Sequence, residues 1–199
     1  MKDVFLSAAI QCMILIGIPW IFYIAFAKKK YSFFRWIGLY KPSNIEWIKP
    51  AIIVFIASVI IMAGPLFLFI KLGFISQEML YSLNLSNNGF SFNVIIIVLT
   101  KAIFQTALSE EVLFRGFIGK RVKNKFGYIT GNLFQAILFG LPHGLPFIIV
   151  YKAYLFGITF FVSATIVGFM QFYLNEKKAD GSIIPSLIIH SFMNIVSFF

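Results

Sequence analysis

Apolar runs follow one another along almost the whole chain, most of them about the length needed to cross the hydrocarbon core of a bilayer. Val4–Ala27 carries no charge, and further runs extend over about Pro50–Phe74, Phe92–Gly119, Tyr128–Leu145, Phe147–Leu174 and Ser182–Phe199. Polar positions gather between them: Lys28-Lys29-Lys30, a basic and aromatic stretch with Arg35, Trp36, Lys41, Trp47 and Lys49, a polar loop Ser76–Ser91, a basic turn Lys120–Lys125, and a link Asn175–Gly181. The pattern predicts an all-α, polytopic transmembrane helical bundle of about six spans, with residues 1–199 forming a single membrane domain and no separate soluble module. The first run is longer than a signal-peptide apolar region and lacks a small-residue cleavage pattern, so it is expected to remain as a span.

Composition agrees with this reading. Hydrophobic residues make up 60% of the chain and charged ones 12%, with a mean hydropathy of +0.90. Soluble domains carry about twice that share of charge. The net charge of +10 does not point to nucleic acid, because the lysines and arginines cluster in short loops between apolar runs. With six spans, the lysine triplet, the Lys120–Lys125 turn and Lys177-Lys178 fall on one side, which the positive-inside rule places in the cytoplasm of a cell membrane, with both termini outside. Cys12, the single cysteine, has no intrachain partner and reads as packing.

Against this background the ionisable residues inside the runs carry the chemistry, because each is costly to insert. Glu110, Glu111 and Arg115 lie in the third run, His143 near the end of the fourth, and His190 and Asn194 in the sixth. A hairpin of runs three and four about Phe126-Gly127 brings Glu110 and His143 to similar heights, while His190 and Asn194 share one helix face. Glu111 precedes Arg115 by four residues, the favourable orientation for a structural ion pair on a helix. Glu110 is then left for chemistry: with His143 it activates water, and His190 and Asn194 donate to a developing oxyanion. Phe139 reads as packing, and Gly116, Gly140 and Gly144 as points of close helix approach. Lys101 and Gln105 line a substrate entry or mark a wet helix end. A small transporter or channel subunit fits less well, since neither paired repeats nor broken helices recur in the two halves.

Three motifs, Glu110-Glu111-x-x-x-Arg115, Phe139-x-x-x-His143 and His190-x-x-x-Asn194, resemble those of the CAAX protease and bacteriocin-processing family, also called the Abi or type II CAAX prenyl endopeptidase family. The likeness covers about residues 101–199 as a catalytic core. It implies an intramembrane endopeptidase whose Glu110 and His143 activate water and whose His190 and Asn194 line the oxyanion site. Its partners would be the lipid bilayer and a peptide or protein substrate, lipidated or of the signalling or bacteriocin kind. The alternative carried by the same family is a noncatalytic immunity or partner-binding membrane protein. Members are described both as metalloproteases and as metal-independent glutamate proteases. No His-Glu-x-x-His helix is present. The expectation is therefore metal-independent chemistry, with zinc on Glu110, His143 and His190 as the alternative.

Overall fold

A computed structural model describes residues 2–75 and 91–198 of the chain. Seven helices and no strands occur among the described residues: α1 (Lys2–Phe26), α2 (Phe33–Ile37), α3 (Ile48–Lys71), α4 (Phe92–Phe126), α5 (Tyr128–Ile149), α6 (Tyr154–Lys178) and α7 (Ile184–Ser197). Five of them, α1, α3, α4, α5 and α6, are long and apolar enough to cross a membrane. The sixth apolar run forms α7, a helix of 14 residues that reaches about 21 Å at 1.5 Å per residue, shorter than a full span. Of the predicted polar loop Ser76–Ser91, all but its last residue lies outside the described residues.

Several boundaries move from their expected positions for local reasons. The third run was expected to end at Gly119, but α4 continues to Phe126, because Lys120–Lys125 contains good helix formers and no breaker. Gly127, with φ +88°, makes the reversal into α5. Helix α5 also runs past its expected end, through Pro142 and Pro146 to Ile149, so His143 lies within a helix rather than beside its terminus. Proline is tolerated there because neighbouring helices in a membrane bundle can satisfy the freed backbone groups. Helix α6 accordingly starts at Tyr154, after Lys152 and Ala153 turn the chain.

The interior is assembled from helix faces brought close by small residues. The α5–α6 pair is the most extensive contact. A Cβ on Gly140 would lie 2.7 Å from the Phe161 carbonyl oxygen, so a larger residue would force α5 and α6 apart. The α4 contact with the α2 segment depends on Gly116 in the same way, since its Cβ would lie 2.7 Å from Ile37 O. Apolar clusters then close the ends: Tyr23, Phe33, Ile37, Val112 and Ile183 at the basic-loop end, and Phe69, Phe147 and Phe156 between α3, α5 and α6.

Helix α4 is not a uniform α-helix. It is π-wound over Thr100–Leu108 and again over Glu111–Gly119, with Glu110 in the joint between the two stretches. Hydrogen bonds from i to i+5 give more residues per turn, so successive side chains are rotated by less than in an α-helix.

Candidate active site

His190 of α7 is where the two glutamates meet. Its Nδ1 lies 3.0 Å from Glu111 Oε1, and its Nε2 lies 3.9 Å from Glu110 Oε2. Arg115 lies beside Glu111 as their four-residue spacing suggests, its Nη1 3.3 Å from Glu111 Oε1 with both side chains fully buried. Glu111 does more than pair with arginine, however. Its other oxygen accepts from Ser186 Oγ at 2.5 Å, and Ser186 accepts in turn from Asn175 Nδ2 at 2.6 Å. Arg115 donates to Gln171 at 2.9 Å and sits 3.7 Å above the Phe139 ring. A carboxylate that holds one ring nitrogen of a histidine fixes the orientation of the other nitrogen.

His143 of α5 completes the group. One donor atom from each of Glu110, His143 and His190 lies within 4.8 Å of the others. His143 Nδ1 is 2.8 Å from the Phe139 carbonyl oxygen, which can only accept, so Nδ1 carries a proton and Nε2 of the neutral ring keeps its lone pair. Phe139 packs against both imidazoles, at 4.5 Å from the His143 ring and 5.6 Å, edge-on, from that of His190. Its expected packing role is thus a specific one, that of a spacer between the two histidines and the buried guanidinium.

A cavity of about 480 Å³ opens onto this group. His143, His190 and Asn194 line it together with Phe139, and α3 supplies an apolar wall that includes Met62 and Leu66. Glu110 is not part of the lining and stands behind the histidines, with Oε2 buried and lacking a hydrogen-bond partner among the described residues. Asn194 donates one amide proton to Ala102 O at 3.2 Å, in the first π-wound stretch, which leaves its second proton for the cavity. Gln105 donates to Gln11 of α1 at 3.2 Å, a helix-to-helix contact rather than an entry lining.

Ser186, Asn175 and Gln171 were not singled out from the sequence, yet a signal for them existed. Ser186 stands four residues before His190, and Ser163, Gln171 and Asn175 recur at four- and eight-residue spacing along an otherwise apolar run, so each set shares a helix face. Polar side chains that share a face inside a membrane helix are turned inward.

Two imidazoles and an amide face one cavity with a carboxylate behind them, drawn from three helices of a multi-pass bundle, and together they define a membrane protein with a buried polar site. The Type II CAAX prenyl endopeptidase Rce1-like family matches residues 88–196, more than half of the chain, and the chain belongs to that family. It is a CAAX-protease-like multi-pass membrane protein. No similar curated protein and no similar solved structure was found.

Proposed function

We propose that the protein is an intramembrane endopeptidase that hydrolyses a peptide bond of a membrane-associated protein or peptide with water activated by Glu110 and His143. The observation that carries this reading is the convergence of Glu110, His143 and His190 within 4.8 Å beside a cavity that His190 and Asn194 also face. Water held between Glu110 and His143 gives up a proton as its oxygen attacks the scissile carbonyl carbon. The oxyanion accepts from the second Asn194 N–H and from His190 Nε2. With its Nδ1 proton directed to Glu111, His190 donates from Nε2 when both ring nitrogens carry protons. Collapse of the tetrahedral intermediate breaks the C–N bond, and the proton taken from water passes to the leaving amine.

The same three residues also fit a metal. Two imidazoles and a carboxylate are a catalytic zinc donor set, and His190 has the carboxylate partner on its other nitrogen that such ligands commonly carry. Zinc there would be held by Glu110, His143 and His190 and would supply a Lewis acid and a more acidic water. The metal-independent course is preferred because Glu110 and His143 already provide a base and an acceptor nitrogen. Elemental analysis of active, purified protein distinguishes the two, and stoichiometric zinc lost together with activity would refute the metal-independent course.

Comparative peptidomics of membranes carrying the wild type or Glu110→Gln tests the function as a whole. Peptides that appear with the wild type and are absent with an equally abundant variant support the protease and identify its substrate. Identical peptide profiles, together with an immunity phenotype that survives the substitution, would establish the noncatalytic alternative.

A further inference from the structure

The basic loops come together at one end of the bundle and enclose a second cleft, of about 540 Å³, that the proposed hydrolysis does not use. The α1–α3 connection contributes Arg35, Trp36 and Tyr40, the end of α4 contributes Lys120, Arg121 and Lys123, and Glu176 and Asp180 come from the α6–α7 link and its approach. Basic side chains therefore outnumber acidic ones by two in its lining.

The acids are already engaged. Glu176 accepts from Lys120 at 2.6 Å and from Lys123 at 2.5 Å, and Lys120 also donates to Gly181 O at 2.5 Å. Asp180 is bound by the backbone N–H of Ser43 at 3.1 Å and by the Ser43 hydroxyl. Arg35 and Arg121 have no carboxylate partner among the described residues. Each guanidinium carbon lies over an aromatic ring, that of Arg35 at 4.6 Å from the Tyr40 centroid and that of Arg121 at 4.1 Å from that of Trp36. A guanidinium held over a ring by cation–π attraction still has N–H donors to offer an acceptor. Arg121 Nη2 donates to Trp36 O at 3.1 Å, while its Nε is buried with no partner among the described residues.

We propose that this cleft binds a phosphate-bearing anion, supplied by the headgroup of an anionic phospholipid in the adjoining leaflet. Arginine edges match phosphate oxygens in a paired geometry. Trp36, Tyr31 and Tyr40 are residue types that settle at the membrane–water interface, and phosphate is the anion a bilayer presents at that depth. Basic pockets between transmembrane helices are a recurrent means of holding such headgroups.

The test is a titration of the purified full chain in neutral detergent with short-chain phosphatidylglycerol, with phosphatidylcholine of the same chain length, and with inorganic phosphate, read by native mass spectrometry and thermal stability. Phosphatidylglycerol is expected to bind about tenfold more tightly than phosphatidylcholine, whose equivalent phosphate is offset by its own choline cation in a cleft of arginines that lack a carboxylate partner among the described residues. The preference should disappear in the Arg35→Gln/Arg121→Gln double variant and persist in Lys29→Gln, an exposed change outside the lining. If the double variant does not fold, Arg35→Gln alone decides, because that side chain is exposed. Displacement of the lipid by inorganic phosphate would support phosphate recognition with a free-phosphate source; lipid binding that phosphate does not disturb would assign the headgroup. Equal binding of the two phospholipids, or an unchanged preference in the arginine variants, overturns the proposal.

Discussion

Helices α1 and α3 and helices α5 and α6 are all apolar enough to span a membrane, yet they play opposite parts. In the most apolar stretch of α1 and of α3 11% of residues are buried by the rest of the protein, against 44% in α6. The buried positions of α6 include Gly157, Ser163, Gly168, Gln171 and Asn175, whereas Met13, Ile21, Ile60 and Phe67 of α1 and α3 point outward. In a soluble domain the more hydrophobic face is the inner one. In this bundle many large apolar side chains face outward, and small and polar residues join Phe156, Phe172 and Leu174 in the interior of α6, because packing and hydrogen bonding rather than water exclusion hold membrane helices together.

The largest test of that contrast is Arg115→Met, which removes the guanidinium from the buried Glu111 carboxylate and leaves it only His190 and Ser186 as partners among the described residues. Breaking such a pair typically costs about 3–5 kcal/mol, so the variant should lose most of its folded abundance in membranes. A full yield of monodisperse protein would remove the view that the polar network holds the core. On the proposed mechanism, Asn194→Ala should lower kcat by roughly 10²–10³-fold with KM little changed, the size seen when one oxyanion donor is lost. A loss confined to KM would reassign Asn194 to substrate binding.

Smaller effects sharpen the comparison from the other side. Gly140→Val pushes α5 from α6 and should destabilise by about 1–3 kcal/mol, read as a drop in thermal midpoint. Phe67→Ala, on the lipid face of α3 at 69% exposure, should stay within about 0.5 kcal/mol of wild type. A large loss there would place a partner against α3. The smallest effect concerns pH at the loop end. Hydrogen bonds from Ser43 hold the Asp180 carboxyl below the ordinary aspartate range. Its contribution is therefore present above the ordinary value and is lost as pH falls through the depressed folded one. Hydrogen-exchange protection in the 40–43 loop, taken relative to the intrinsic exchange rate at each pH, should fall on acidification in the wild type, and Asp180→Asn should show the lowered protection at every pH.

Much of the candidate site was legible in the order of residues. Glu110, His143 and His190 stand out as ionisable groups in apolar runs, and they do converge. The pairing of Glu111 with Arg115 was equally readable from four-residue spacing. The grip of Glu111 on His190 was not, because helix geometry turns adjacent glutamates apart, and the placing of one imidazole between both depends on how α7 packs against α4, which has no simple sequence signature. One helix end was misplaced for a related reason: the fourth run reads as ending at about Leu145, near Pro142, yet α5 continues to Ile149 inside its packed surroundings.

Membrane class, helical content and the inventory of reactive side chains were settled by composition and hydropathy, because the cost of placing a residue in hydrocarbon is a local property of that residue. Which imidazole nitrogen meets which carboxylate, where the cavity opens, and how Arg35 and Arg121 come to share one cleft belong to the folded bundle. Those depend on how each helix is rotated about its axis and how deeply it sits. Close contacts such as Gly140 against Phe161 and Gly116 against Ile37 set these quantities, and they exist once the chain has packed.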